Sequence, residues 1–406
     1  MSEETIDDSC SVLSSITQVI AVICIVVPLI CFMPGLPPDM TFSYHKLTVQ
    51  PVTLNGKLNN AEKLFLNQVK GPEDVVVHNN ELYTSSHGGS IKKLSNGKLI
   101  SVIKFGKDCN EETIMEEDIC GRPLGFRFNR KGLLYAADAY YGIYKANLSN
   151  GDVEAIVSKN VPIDGFNPMI PNSIALSKKT DDFFWTDSST THLLKDGLYT
   201  FLGDGNGRLL KYNSVSKKNE VLLKNLHFPN GVALSADESF LIVAETFGSR
   251  LLKYNLKGSN TGKVEVFSNL PGFPDNVDYV DGRFIVSIVM KPDKFIETLS
   301  EWPIVKKFAA RTMSLVEYIV ELLDSLYPSI YFKKINHWIG HFESLHSIAP
   351  PPPGAIVLFI DNTGRLVQTL STNDNNIGGI SSMTFFQGHY YLGSPFNPFL
   401  ARVKAS

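Results

Sequence analysis

Acidic and amide side chains recur at one place in this chain, directly after a proline. Pro72-Glu73, Pro171-Asn172, Pro229-Asn230 and Pro274-Asp275 share it, and Asn276 follows Asp275. Any one of these pairs is ordinary turn chemistry, because Asn and Asp bond to their own backbone and tolerate tight turns. Two carboxylates and three amides brought to one point would be an oxygen-rich donor set of charge −2. A Ca²⁺ ion takes six to eight oxygens of this kind, whereas Mg²⁺ keeps more water and fewer protein ligands. Left without a cation, Glu73 and Asp275 would repel and one of them would protonate. The five residues are therefore expected to hold Ca²⁺, provided the fold gathers them.

The elements around them are copies of one unit. PEDVVV begins at Pro72, PLGFRF at Pro123, PNSIAL at Pro171, PNGVAL at Pro229, PDNVDY at Pro274 and a degenerate ISSMTF at Ile380. The steps are 51, 48, 58, 45 and 106 residues, against roughly 40–50 for a four-stranded propeller blade. The two long steps each contain an insertion, Ser188 to Phe201 and a helical stretch of residues 290–350. A second strand follows every copy (ELYTSS, GLLYAAD, FFWTDSS, FLIVAE, RFIVSI, YYLGS), and RLLKYN occurs twice unchanged, at Arg208 and at Arg250. Short strands rich in branched and aromatic residues, separated by Gly, Asn and Asp, read as an antiparallel meander. Six units give an all-β, six-bladed β-propeller over residues 41–406, its first strands lining a central channel. The residue after the proline then sits at one end of that channel in each blade: Glu73, Leu124, Asn172, Asn230, Asp275 and Ser381. The last blade lacks a strand at the C-terminus, and a segment between Met40 and Leu66, with TFSYHKLTV fitting, is expected to close the ring.

The first 40 residues are of another kind. Residues 1–10 form a short polar tail, and residues 11–33 carry no charged side chain. Such a run spans about 35 Å as a helix, enough for a hydrocarbon core of roughly 30 Å. A cleaved signal peptide would show a basic start and a small-residue cleavage site, and both are missing. The run is expected to be an uncleaved signal-anchor, with residues 34–40 as a Pro-rich stalk. Cys109 and Cys120, 11 residues apart, suit a disulfide, and Asn147-Leu148-Ser149 is a glycosylation acceptor. Both favour an oxidising compartment, hence a single-pass type II protein in the endoplasmic reticulum or plasma membrane, its propeller luminal or extracellular. Cys10, Cys24 and Cys31 lie in or beside the anchor, Cys10 as a candidate for acylation. The chain has 38 basic and 41 acidic residues, which gives no electrostatic case for nucleic acid.

GPED, CGRPLGF, PNSIAL, TDSS, GRLLKYN, FPNGVALS, VAET, PGFPDN and YLGSP resemble the strictosidine synthase-like propellers, from about Lys70 to the C-terminus. Their wider superfamily includes the paraoxonases, calcium-dependent lactonases and aryl esterases. The resemblance implies catalytic-calcium ligands at Glu73, Asn172, Asn230, Asp275 and Asn276, the set the repeats select independently. It also implies a second, structural calcium near Asp74, although Ser173 stands where that site expects an acid. Leu124 replaces a paraoxonase histidine of the proton-transfer pair, and Ser381 replaces the catalytic glutamate of the plant synthases, which argues against alkaloid condensation. The implied chemistry is hydrolysis of a small-molecule ester or lactone, with Ca²⁺ polarising the carbonyl. His87, after the second strand of the first blade, is the candidate general base; a hydrogen-bonded loop histidine is its other reading. The rival class is a calcium-stabilised propeller without catalysis, acting as a binding module.

Other motifs carry less. There is no G-x-S-x-G elbow. His337 and His341 stand four apart without the HExxH glutamate, as in a surface or lid helix. Gly203 to Arg208 is a turn between strands, and Pro350–Pro353 a rigid loop ending. WPIVKKFAARTMSLVEYIVELLDSLY reads as amphipathic helices joining the second and third strands of the fifth blade. Strand parity puts that junction on the metal face, where it is expected to act as a lid.

Overall fold

The computed structural model describes residues 4–36, 38–110, 113–343 and 354–405, with the backbone alone for residues 4–14. The Pro350–Pro353 run and the side chain of Cys10 lie outside the described residues. Six four-stranded antiparallel sheets follow one another around a ring. Their first strands are Val75–His78, Pro123–Phe128, Pro171–Leu176, Pro229–Leu234, Phe273–Val280 and Ser382–Phe386. First strands such as Pro171–Leu176 and Pro229–Leu234 are buried nearly throughout, whereas outer strands such as Asp152–Ser158 are mostly exposed. Neighbouring blades pack face to face: Ala175, Leu209 and Leu226 of the third meet Val232, Leu241 and Leu252 of the fourth. The hairpins use the turns their twist demands. Asn79 and Asn80 both take positive φ (48° and 59°), as do Asp281 and Gly282 (48° and 80°).

The ring closes, as expected, through a segment between Met40 and Leu66, but at other residues than those that fitted best. Glu62–Leu64, not TFSYHKLTV, pairs with the C-terminal strand Leu400–Lys404. Residues 41–50 instead run across the top of the molecule. There Thr41 accepts from the amide of Asp204, and the His45 and Gln50 amides donate to the Ser300 and Leu270 carbonyls. Alternating apolar residues mark a half-buried strand, but here Phe42 and Leu47 lie half-buried against the apolar cluster that holds Phe201 and Phe247, outside any sheet.

Among the described residues, six complete α-helices accompany the blades. α1 (Glu4–Phe32) begins seven residues before the uncharged run, so the polar tail is largely helical. α2 (Glu117–Cys120) belongs to the loop that the Cys109–Cys120 disulfide closes. α3 (Gly197–Leu202) lies in the insertion of the third blade. α4 (Lys294–Ser300), α5 (Pro303–Leu326) and α6 (Ile330–Gly340) form the insertion of the fifth, between Arg283–Met290 and Ile356–Asp361. One apolar cluster joins these additions to the propeller: Leu194 and Phe201 around α3 and Ala310 of α5 meet Phe228, Phe247 and Phe273.

Candidate metal centre and cavity

The side chains after the prolines leave the sheet through a repeated irregularity. In blades two to five the ladder between first and second strands slips by one residue just past the proline. Pro171 pairs with Asp187 but Ile174 with Trp185; Pro229 pairs with Glu245 but Val232 with Val243; Pro274 and Pro123 behave alike. A bulge of this kind re-aims a side chain at the end of pairing and is common beside functional sites. Neighbouring backbones approach closely here. A Cβ on Gly231 would stand 2.3 Å from the Val277 nitrogen, and one on Gly125 would stand 2.8 Å from the Asn172 carbonyl oxygen. Glycine at these two places therefore keeps neighbouring blades close at the end of the channel.

All five expected ligands are buried, none more than 4% exposed. Each holds a buried oxygen that accepts no hydrogen bond: Glu73 Oε2, Asn172 Oδ1, Asn230 Oδ1, Asp275 Oδ1 and Asn276 Oδ1. Orphaned buried acceptors are rare and costly in folded proteins, so five together fit a cation. Their amide ends are partly spoken for. Asn172 Nδ2 donates to Ser188 Oγ at 3.0 Å, and Asn230 bonds to Asp275, which leaves the oxygens facing the axis. Ser381 offers no donor, since its hydroxyl is given to the Glu73 carbonyl at 2.6 Å. Asp74 points away, and Arg127 bridges it to Asp278 at 2.5 and 2.6 Å. A guanidinium thus already supplies the positive charge that a second cation would bring there.

Burial lifts the Glu73 carboxyl to about 7, against the pull of Arg122. Burial and then the charge of Glu73 push Asp275 well above the usual carboxylate range. Arg122 was not singled out by its sequence, yet it lines the same cavity at 1% exposure. Its Nη2 lies 3.5 Å from Glu73 and its Nε 3.3 Å from Glu117, itself fully buried and raised by desolvation.

Above the donors the cavity is apolar, walled by Leu124, Phe228, Phe247, Phe273, Phe342 and Phe396. Both roots of the fifth-blade insertion contribute, Val289 and Met290 before α4 and His341 and Phe342 after α6. Among the described residues, the titratable groups lining it are Glu73, Arg122, Asp275 and His341. His87 stands behind that wall. Its Nε2 lies 3.1 Å from the Pro395 carbonyl, so that nitrogen carries the proton, and its Nδ1 faces Glu117 at 3.4 Å. Burial pushes its pKa well below the usual histidine value. His341 reaches the cavity because it follows the last turn of α6 in extended conformation. Its Nδ1 accepts from the Glu343 amide at 3.2 Å, which puts the proton on Nε2. Burial pushes its pKa down to about 3, so it is neutral at physiological pH.

Two family models match the chain: "Strictosidine synthase" over residues 172–259 and "Strictosidine synthase-like, N-terminal" over residues 53–94. The chain is 38% identical over 394 residues to the adipocyte plasma membrane-associated protein Hemomucin of Drosophila melanogaster, covering 93% of this chain and 67% of that one. It is 31% identical over 377 residues to human adipocyte plasma membrane-associated protein, covering 91% and 83%. Among solved structures, a gluconolactonase of Xanthomonas campestris aligns with a TM-score of 0.53 at 14% identity, over 92% of this chain and 99% of the other. A luciferin-regenerating enzyme aligns with a TM-score of 0.52 at 13% identity, over 85% and 95%. At these identities the structural likeness is one of fold.

Proposed function

The chain belongs to the strictosidine synthase-like family of adipocyte plasma membrane-associated proteins, and on that premise we propose a membrane-anchored, calcium-dependent hydrolase of apolar esters or lactones. α1 holds it in the membrane as a type II anchor, and Asn147, half-buried at the end of the strand Gly142–Asn147, is glycosylated. The observation that carries the reading is that four residues with orphaned oxygens, Glu73, Asn172, Asn230 and Asp275, line one end of an apolar cavity, with the orphaned oxygen of Asn276 next in the chain. Glu73, Asn172, Asn230, Asp275 and Asn276 would hold Ca²⁺, which supplies Lewis-acid polarisation of the substrate carbonyl when bound. The chain does the rest. The phenylalanine wall binds the apolar part of the substrate and excludes bulk water. His341 offers its Nε2–H to the oxygen on which charge develops, in a dry site where such a donor counts most. Gluconolactonase and luciferin-regenerating activities belong to the solved relatives; here they support only the class of fold on which such chemistry occurs.

Turnover of aryl esters and lactones by the full chain, with and without EDTA, tests the reading. Wild type should lose activity in EDTA and regain it with calcium, and Asn230→Ala should lose it in both. An absence of EDTA-sensitive turnover across both substrate classes would sink the hydrolase. One arrangement favours a non-catalytic calcium-stabilised binding module instead. His87 and His341 both have the proton on Nε2, and their basic nitrogens face Glu117 and the Glu343 amide. On that second reading calcium raises the melting temperature while no substrate is turned over.

A further inference from the structure

α5 is apolar on two sides. Its inward side packs on the propeller through Ala310 and Met313, with Glu317 bonded to Tyr199. Its outward side carries Val316, Ile319, Leu322, Leu323 and Leu326, all exposed. Spacings of three and four put these on one helical face. Around the exposed face stand large aromatic residues: Trp302 at 54% exposure, Tyr318 at 61%, Tyr327 at 75%, Tyr331 at 73% and Trp338 at 51%. A soluble monomer rarely exposes a continuous apolar patch of more than a few hundred Å².

The neighbour of this face identifies its cover. α1 contains an exposed apolar span, Ser15–Phe32, long enough to cross a bilayer. Its C-terminal end is fastened to α5. Arg311 donates to the carbonyls of Cys31 at 2.6 Å, Met33 at 2.5 Å and Leu36 at 2.8 Å. Lys307 lies 5.1 Å from the centre of the Phe32 ring. A span of this length ends near the membrane surface, so α5 starts there. Tryptophan and tyrosine concentrate at that depth, where an amphipathic ring has both apolar and wet surroundings. Aliphatic residues inside an aromatic rim are the pattern of a helix lying in the interface.

We propose that α4–α6 is a second membrane contact, its outward face seated in the interfacial layer of the bilayer that α1 crosses. This rests on the anchor reading of α1 but not on the hydrolase reading. Both roots of the docked hairpin form cavity wall, so docking would fix the cavity beside the lipid surface.

The chain's three tryptophans allow a direct test. Trp185 is fully buried in the third blade, while Trp302 and Trp338 stand on the proposed contact. The full chain is reconstituted into phosphatidylcholine vesicles with or without brominated acyl chains, and floated to separate bound protein. Brominated lipid should quench most of the Trp302 and Trp338 emission, and aqueous iodide should not. The Trp302→Phe/Trp338→Phe variant, which leaves Trp185 alone, should be indifferent to both. Protein that floats, yet is quenched by iodide and not by bromolipid, would overturn the docking while leaving the anchor intact. Quenching by neither, together with a dimer on sedimentation in detergent, would also overturn it, in favour of a second copy on that face. Protein that fails to float would instead remove the anchor reading, and the docking with it.

Discussion

Replacing Glu73 by glutamine should stabilise the metal-free protein and destabilise the calcium-loaded one. The carboxyl's ordinary value of 4.5 is lifted to about 7 in the folded chain, chiefly by burial and already net of Arg122. The unfolded chain therefore gives up this proton near pH 4.5 and the folded chain keeps it until about 7. Between those values the unfolded state binds fewer protons, so stability falls as pH rises through the window. At about 1.4 kcal/mol per unit, the total is about 3 kcal/mol above neutrality. A glutamine at this position keeps the shape, never ionises and avoids this loss. In EDTA at pH 8, Glu73→Gln should thus exceed wild type by up to about 3 kcal/mol, and at pH 4 the two should nearly coincide. Calcium reverses the order. Wild type gains about 2.7 kcal/mol when the free ion stands at 100 times its dissociation constant, and the variant, short one charged ligand, gains far less. Thermal or urea unfolding of the full chain in detergent, in EDTA and in CaCl₂ at both pH values, reads all four quantities. If Glu73→Gln is the weaker protein in EDTA at pH 8, Glu73 is a structural partner of Arg122 and the argument from strain fails.

Three further outcomes follow from the same packing. Gly231→Ala puts a methyl 2.3 Å from the Val277 nitrogen; forcing the blades apart should cost about 1–3 kcal/mol and shrink the calcium-induced rise in melting temperature, and an unchanged rise would show that the bulge does not set the donors. Arg127→Met leaves Asp74 and Asp278 without their shared partner and should cost about 3–5 kcal/mol, partly recovered by adding Asp74→Asn; a urea midpoint within error of wild type would mean that solvent already screens the pair. Opening the loop closed by Cys109 and Cys120 with Cys109→Ser/Cys120→Ser should cost about 3 kcal/mol, measured as a melting difference that disappears when wild type is reduced.

The axial donors were legible because repetition does what a single motif cannot. One Pro-Asn-Gly says turn; the same offset in successive blades fixes a direction, since the same bulge turns each side chain off its ladder. The closing strand was legible only as a span, residues 40–66, and not as particular residues. Glu62–Leu64 has no strand propensity of its own, and it pairs because Leu400–Lys404 offers an open edge. The better-patterned residues 41–49 are claimed by the top of the molecule. His341 escaped because helical spacing was applied to a residue just past the helix, where the chain turns extended and enters the cavity. Glu117 belongs to the disulfide loop, which no repeat column covers, and Arg122, just before Pro123, stands in a column filled elsewhere by Gly71, Ile170, Phe228 and Phe273, so nothing there pointed to charge.

Those unaligned residues change the account of the site's charge. The buried group is not two carboxylates but three, Glu73, Asp275 and Glu117, with Arg122 touching two of them. The imidazoles beside it, His87 and His341, are held neutral by burial, and Asp74 is matched to Arg127. With every carboxyl ionised, three negative charges face one guanidinium, a net of −2 in a place water does not reach. Isolated charge of that kind is relieved by protonation or by a counter-ion. Burial raises the Glu73, Asp275 and Glu117 carboxyls, which favours the neutral form of each. Arg122 alone falls short by two charges, and the one divalent cation proposed at the orphaned oxygens would balance that sum.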